Sequence, residues 1–373
     1  MTDLINMPTQ EGPEPKSDDC CCGPRDHEIK RFRRVETAGK IPTKAGEIDI
    51  VTSAWSFRDY AGRILVRLGY LRADYAVKPG LYAIGKPNAT SPVFVSSNYK
   101  LSFDILRRDL EGLNGWLLVL DTKGVNVWCA AGKGTFGTKE IVARLIAARL
   151  SEIVTHTDLI VPQLGAPGVS AYKVMLYSGF KVLYGPVRSK DIKQFIVNGM
   201  EASPEMRKVS FNLADRLTVS LLELSMALEK IIPAAAGLII VLGFSSSGFS
   251  LARGFEKALL PVTALMLAVF SGTVLSAALL PYLPGRAFSV KGGLLGLVTA
   301  FTAAFALNFP PISLITLSFV LFVSAIAAYL TLNFTGASTF TSLSGTKKEV
   351  RLSLPVIAAG MLVSLVIFFV KGY

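Results

Sequence analysis

A chain of 373 residues has room for two domains. Hydrophobic residues make up 51% of it and its mean hydropathy is +0.47, high for a soluble protein, with the apolar residues concentrated after Leu217. The formal charge of +12 does not point to nucleic acid, because no basic cluster is interleaved with exposed aromatics and membrane topology explains much of the excess.

Residues 1–45 are rich in Pro, Asp, Glu, Lys and Arg and lack periodic apolar positions, so they read as a flexible tail. The opening "MTDLINMPTQEGPEPKSDDCCCGPRD" has no apolar run of the secretory kind, and the first half is expected to stay in the cytoplasm. Its three adjacent cysteines, Cys20, Cys21 and Cys22, cannot easily bridge one another, and the fourth, Cys129, is distant. Reduced thiols are expected, not a disulfide framework.

From residue 46 to 215 strands and helices alternate. Leu81–Ile84 and Pro92–Val95 are short β-like runs, and Leu101–Leu110 has a helical period. Trp116–Leu120 is a continuous apolar strand, Asp121–Gly124 a turn, Val125–Trp128 a second short strand and Thr138–Leu150 an amphipathic helix. "DLIVPQLGAPGV" and "FKVLYGPVRSKDIKQFIVNGM" each read as strand, Gly/Pro loop and helix. The expectation is an α/β domain with a largely parallel sheet. Its Gly/Pro loops at 124–137, 164–168 and 185–186 are expected to converge beyond the carboxyl ends of the strands.

Residues 216–373 read as an all-α transmembrane domain of about five helices, each near the roughly 20 residues that cross a bilayer. The expected spans are Ile231–Phe244 (with an earlier start left open), Leu259–Leu280, Leu294–Leu307, Ile312–Leu332 and Leu354–Val370. Arg286, Lys291, Lys347, Lys348 and Arg351 fall in the second and fourth loops, while "NFPPIS" carries no charge. This pattern predicts a multi-pass protein of the inner (cytoplasmic) membrane, with its N-terminal domain inside and Tyr373 outside. Glu223, Glu229 and Lys230 read as part of an interfacial helix, in preference to an intramembrane relay.

The chemistry centres on "NVWCAAGKGTFGTKE", Asn126 to Glu140. It is not a phosphate loop: Val127 stands where the first glycine belongs, and Gly134 follows Lys133. Zinc is disfavoured by the lack of a C-x-x-C pair and by only two histidines, His27 and His156. A thiol with the distant His156 is a poor nucleophile signal, and a lone cysteine is most often a packed structural residue. Against that, Ala130, Ala131, Gly132 and Gly134 clear bulk from around Cys129, so a large flat ligand can approach the backbone. Lys133 and the helix start near Thr138 add positive charge, the setting in which a thiolate forms. A soft thiolate on a cleared platform suits axial ligation of a metal-centred macrocycle.

"NVWCAAGK" resembles the cap-helix signature of the HgcA family, the corrinoid proteins of the microbial mercury-methylation pair. "PVFVSSNYKLSFDILRRDL", "VLDTKGVNVWCAAGKGTFGTKE", "PQLGAPGV" and "GPVRSKDI" resemble that family's corrinoid domain. The domain is itself similar to the large subunit of the corrinoid iron–sulfur protein of acetyl-CoA synthesis. "FTGASTFTSLSGTKKEVR" resembles the family's membrane loop before the last span, and the likeness covers residues 50–373.

The resemblance implies a Rossmann-like corrinoid domain with Cys129 as the lower axial ligand of cobalt. Asn126, Val127, Trp128, Ala130, Ala131, Gly132 and Lys133 match the motif that forms the platform under the ring, and Ser96 falls where the family has a small hydroxyl residue beside the cofactor. The cofactor implied is a cobalamin that cycles between methylated and reduced Co(I) states. The chain lacks a D-x-H-x-x-G box, in keeping with thiolate ligation. The activity implied is methyl transfer to Hg(II), where a thiolate opposite the cobalt–carbon bond supplies electronic push, as on haem iron.

The partners implied are a ferredoxin-like protein with two 4Fe–4S clusters as electron donor and a methyl-folate-type methyl source. Cys20, Cys21 and Cys22 read either as mercury ligands or as a dispensable reactive tail, the latter preferred. The alternative function is a methyl-carrier corrinoid protein of one-carbon metabolism that serves another acceptor. A transporter is disfavoured because the spans hold few ionisable residues.

Overall fold

In the computed structural model, which describes residues 31–334 and 343–370, the chain divides into two units, the first running to Val209 apart from Arg67–Gly69, which group with the second, and the second continuing from Ser210. The first unit opens with a hairpin of β1 (Thr37–Thr43) and β2 (Gly46–Val51). β1 therefore lies within the stretch read as tail up to residue 45. It is an edge strand exposed along most of its length, so it carries no apolar alternation to mark it. Cys20, Cys21, Cys22 and His27 lie outside the described residues.

After α1 (Phe57–Arg67) come β3 (Gly80–Ile84), β4 (Val93–Ser97), α2 (Lys100–Asp109) and β5 (Gly115–Leu120). Next are α3 (Val127–Lys133), α4 (Thr138–Ala147), β6 (Asp158–Val161), α5 (Ala171–Ser178), β7 (Lys181–Tyr184) and α6 (Ile192–Val197). The strands form one sheet in the order β1-β2-β3-β5-β4-β6-β7, in which β5, β4, β6 and β7 are mutually parallel and β3 runs against β5. The parallel part starts in the middle with β4, goes out to β5, then returns to β6 on the other side. This makes the edge between β4 and β6 a topological switch point, where the connecting loops diverge.

Helices cover both faces, which is why every residue of β4 and β5 is buried. Val93, Val95, Leu118 and Leu120 pack with Ile141 and Leu145 of α4 and Val174 of α5. Phe94, Leu117 and Val119 pack on the other face with Phe103 and Leu106 of α2 and Phe195 of α6.

One expected strand is absent: Val125–Trp128 does not extend. Asn126 is extended at φ −65°, ψ 161°, and its side chain accepts from the Cys129 amide at 3.0 Å, so it caps a helix. Gly134, left-handed at φ 80°, ends that helix after two turns.

A buried ion cluster fixes α2. Lys100 Nζ lies 2.6 Å from both Asp59 Oδ1 and Asp104 Oδ2, and Arg107 reaches Asp59 Oδ2 at 2.6 Å and Asp104 Oδ1 at 2.9 Å. The Nη1 of Arg107 also donates to the carbonyls of Thr52 (2.6 Å) and Ala54 (2.8 Å), so α1, α2 and the segment after β2 share one network. Burial alone would raise the Asp59 carboxyl; the hydrogen bond from Lys100, the Ser56 amide and the two cations outweigh it and hold the group at about 2. At Asp104 burial is the largest influence and pushes the carboxyl up against the pull of Lys100 and Arg107.

In the second unit, α7 (Leu213–Gly243) begins with a capping box in which Asn212 Oδ1 accepts from Asp215 N (3.0 Å) and Asp215 Oδ2 accepts from Asn212 N (3.3 Å). Hence the first apolar helix starts well before Ile231 and contains Glu223, Glu229 and Lys230. A two-residue hairpin, β8 (Phe244–Ser245) and β9 (Gly248–Phe249), leads to α8 (Leu251–Val269), which runs through a π turn at Phe270–Leu275 into α9 (Ser276–Leu279). Then come α10 (Phe288–Ala306), α11 (Leu314–Asn333) and α12 (Leu343–Val370). Five helical stretches among the described residues are long and apolar enough to cross a membrane, which makes this a multi-pass membrane protein.

Small residues let these helices approach: a Cβ on Gly296 of α10 would stand 2.8 Å from the Ala327 methyl of α11. Polar groups gather at one end of the bundle. Arg216 donates to the carbonyls of Ala277 (2.9 Å) and Ala278 (3.1 Å), Lys291 to that of Leu280 (2.9 Å), and Glu349 accepts from Ser289 N (2.7 Å). Cations thus sit at the carboxyl end of α9 and an anion at the amino end of α10, as the helix dipoles require.

Replacing Asp59 with Asn leaves two buried cations short of a partner and should cost about 3–5 kcal/mol at neutral pH. Because the folded value of Asp59 lies below its ordinary 3.8, its contribution is present above roughly pH 4 and lost as pH falls toward 2. Unfolding followed by tryptophan fluorescence in detergent should show the gap between parent and Asp59→Asn narrowing over that range.

Candidate functional site

The site is built at the carboxyl end of β4. Asn98, fully buried and one residue past the strand, receives three hydrogen bonds on a single oxygen. Its Oδ1 accepts from Thr122 N (3.1 Å), Thr122 Oγ1 (2.9 Å) and Gly124 N (3.0 Å), while its Nδ2 donates to Asp121 Oδ1 (3.3 Å). Thr122 Oγ1 also lies 2.6 Å from the carbonyl of Val125, sharing its proton between the two acceptors. The turn so held is a demanding one, since Lys123 and Gly124 are both left-handed (φ 56° and 70°). Gly124 adopts this without steric cost, whereas Lys123 does so because its amide bonds to Asp121 Oδ1 (3.1 Å) and its ammonium to Asp121 Oδ2 (3.0 Å). Glu140 adds a strut, as its Oε1 accepts from Asp121 N (2.8 Å) and Arg144 Nη2 (2.7 Å).

This turn delivers α3. Ala130 and Ala131 face the core, Val127 and Cys129 pack against its margin, and Trp128 is 45% exposed. Gly132, one turn on from Cys129 and Trp128, is exposed, and a Cβ there would have no atom within 4 Å. Trp128, Cys129 and Gly132 thus form an outward shelf with a half-buried thiol. The other wall is the 3₁₀ turn Gln163–Gly168 after β6, which packs on α3. A Cβ on Gly168 would lie 3.1 Å from the Ala131 Cα, so the "GAPG" stretch is needed for that close approach. The turn is tied back by Ser170 N to Thr138 Oγ1 (2.9 Å) and by Tyr184 OH to the Val169 carbonyl (2.7 Å).

Two polar atoms at this place are orphaned. Ser97 Oγ, on a fully buried residue at the end of β4, and Gln163 Oε1, just past β6, are buried without a hydrogen-bond partner. They flank the switch point, and such groups carry a free-energy cost unless something pairs with them.

Ser96, the hydroxyl expected from the sequence, is in register with Val119 and so shares the face of Phe94, α2 and α6. Ser97 is in register with Leu120, on the face of α3. One step along a strand reverses the face, and the apolar run around these residues hides which face is which. His156 stands apart from Cys129. It precedes β6 at the amino-terminal end of the parallel strands, a strand length of four residues at roughly 3.3 Å each away from the loops that carry the thiol. Its Nδ1 accepts from Asp158 N (3.2 Å), which leaves Nε2 to donate to the carbonyl of Ser91 (2.9 Å). Among the described residues, no group of three His, Cys, Asp or Glu side chains is placed to hold a metal ion.

An α/β domain with a thiol shelf at its switch point, joined to five apolar helices, is the class of protein that fold and site define. Residues 71–196 of it match the family model described as the CO dehydrogenase/acetyl-CoA synthase delta subunit. The chain is similar to the acetyl-CoA decarbonylase/synthase complex subunit gamma of Archaeoglobus fulgidus, 35% identical over 127 residues that make up 34% of this chain and 27% of that protein. The subunit gamma of Methanopyrus kandleri is 31% identical over 127 residues, with the same two shares. That of Methanocaldococcus jannaschii is 34% identical over 97 residues, 26% of this chain and 20% of the other. The chain thus spans about a quarter of the length of the curated relatives it matches, and the residues matched by the family model include the whole of the thiol shelf.

Asn98→Ala should lower stability by about 1–3 kcal/mol for each buried amide it orphans, those of Thr122 and Gly124. Because the same change frees the turn ahead of α3, the rate at which a thiol reagent modifies Cys129 should rise in parallel. Unfolding and thiol-labelling measured on one preparation test both.

Proposed function

We propose that this protein is a membrane-anchored, corrinoid-dependent methyltransferase whose methyl acceptor is Hg(II). The observation that carries the reading is the shelf itself: a half-buried thiol with the open Gly132 position beside it, flanked by the orphaned Ser97 Oγ and Gln163 Oε1. These residues fit a corrinoid. The thiol would be a soft donor to the metal such a group carries, and the glycine leaves room for a flat ring. The orphaned oxygens suit the carboxamides on such a ring's edge. When bound, the corrinoid would supply a methyl group for transfer to Hg(II) as a carbanion equivalent, giving methylmercury, and reductant would be needed before the cofactor is methylated again.

The chain's own residues then have separable roles. Cys129 would hold the cobalt through its thiolate, whose charge donation would favour transfer of a methyl group to an electrophile. Asn126 caps the helix that aims the thiol, and Trp128 with Gly132 forms the platform surface. Ala130 and Ala131 keep the helix close to the sheet, and Lys133 ends it with a positive charge. Ser97 takes the place of Ser96 as the hydroxyl beside the ring, because only Ser97 faces α3. Electrons come from an iron–sulfur partner of the ferredoxin type and methyl from a methyl-folate-type donor; Cys20, Cys21 and Cys22 lie outside the described residues, and a dispensable reactive tail stays preferred over mercury ligation for them. The α/β domain faces the cytoplasm: Arg286 just before α10, Lys291 in the first turn of α10, and Lys347, Lys348 and Arg351 in the opening turns of α12 put the basic residues at that end of the membrane helices. A second reading, a methyl carrier for another acceptor, draws on the similarity to subunits of an acetyl-CoA decarbonylase/synthase complex.

Ultraviolet–visible and EPR spectra of the anaerobically purified chain should show bound corrinoid with sulfur ligation. Cys129→Ala should abolish mercury methylation with folding and membrane insertion intact, and Cys129→His should retain cofactor with reduced activity; near-parental methylation by the alanine variant excludes the ligand role. Assays with and without the iron–sulfur partner separate mercury methylation from a carrier role. Reporter fusions should put the loop before α12 in the cytoplasm and Tyr373 outside.

A further inference from the structure

We infer that α1 lies on the membrane surface and binds anionic phospholipid through an apolar stripe edged by arginines. The inner side of α1 is fully used, with Asp59, Gly62 and Val66 buried and Asp59 locked to Lys100 and Arg107. The outer side is where a surface helix of a soluble domain carries polar residues. Here it carries Phe57, 86% exposed, Tyr60, 53%, and Ile64, 59%. At about 100° per residue these three fall on one stripe, continued by Leu65, with Arg58 at one edge and Arg67 at the other.

Near the start of the helix, Trp55 forms a second amphipathic group, with the guanidinium carbons of Arg63 and Arg108 at 5.4 Å and 5.0 Å from its ring. Aromatic and aliphatic side chains pointing outward between long basic ones are the pattern of a helix in the headgroup layer. There the rings enter the acyl boundary and the arginines reach phosphate.

A lipid surface is the occupant favoured over a protein partner. The same chain carries five membrane-crossing helices, the first starting only a few residues after the α/β unit ends at Val209, so bilayer is always within reach. The stripe's edges are cationic, as an anionic leaflet requires. The exposed apolar side chains of α5 (Tyr172, Met175 and Leu176) have no comparable arginine edges and serve as an internal comparison.

The test uses the full chain reconstituted in phosphatidylethanolamine–phosphatidylglycerol vesicles that contain a phospholipid with a photoreactive diazirine in its acyl chain. After illumination, mass spectrometry should find lipid adducts on the peptide spanning Phe57–Arg67 and, as a positive control, on the membrane-crossing helices, with none on Tyr172–Leu176. Ile64→Glu should remove the α1 adducts with the unfolding midpoint unchanged, because Ile64 faces outward. Arg58→Gln, or exchange of phosphatidylglycerol for phosphatidylcholine, should lower their yield, by about fivefold for each arginine removed. Adducts confined to the membrane-crossing helices, equal labelling of α1 and α5, or cross-linking of α1 to a second copy in place of lipid would each overturn the assignment.

Discussion

One carboxamide organises the candidate site. Asn98 closes β4 and collects the amides of Thr122 and Gly124 and the Thr122 hydroxyl on one oxygen, so the chain leaving β5 makes its left-handed turn in one way only. The direction of α3, and with it the height at which Cys129 stands above the sheet, is set by that turn. Behind Asn98, the buried cluster of Asp59, Lys100, Asp104 and Arg107 anchors the start of α2, so the strand end that carries Asn98 has little freedom. Four charges buried together are a costly way to stabilise a fold, and hydrophobic residues of equal volume often do better. What they contribute here is a fixed register among α1, α2 and the segment after β2.

The same construction accounts for a site that is open and rigid at once. α3 is too short to hold its place by its own hydrogen bonds. It is held from below by Ala130 and Ala131 in the core, from the side by the Gln163–Gly168 turn, and at its start by the Asn126 cap. With the helix fixed, the exposed surface at Trp128, Cys129 and Gly132 needs no side chain to complete it, and Ser97 and Gln163 keep polar atoms there without partners. A platform of this kind meets a ligand with little rearrangement, which favours affinity because few groups must be ordered on binding.

The membrane unit obeys a different logic. In a bilayer apolar surface gives no driving force between helices, so close approach depends on small residues such as Gly296 against Ala327. At one end of the bundle Arg216, Lys291 and Glu349 pair with helix termini. That end holds the starts of α7, α10 and α12 and the close of α9, the alternation expected of five successive crossings.

Much of this was legible from composition and period alone. Five apolar stretches are a strong one-dimensional signal, because a bilayer demands length and hydropathy and little else, and the continuous apolar runs of β4 and β5 marked buried parallel strands. The small residues around Cys129 singled out the thiol before any fold was known, since a cleared surface is written directly in residue size. Three features were not legible. β1 is an exposed edge strand without apolar alternation; Val125–Trp128 has β-branched and aromatic residues that favour a strand, yet the Asn126 cap and the packing of Ala130 and Ala131 turn the chain into a helix from Val127; and the choice between Ser96 and Ser97 rests on which face of β4 meets α3. Each was decided by partners distant in sequence. The sheet register, the Asn98 carboxamide and the Gly168 approach select among local conformations that differ by little in intrinsic preference, and such long-range contacts leave no periodic trace in the chain.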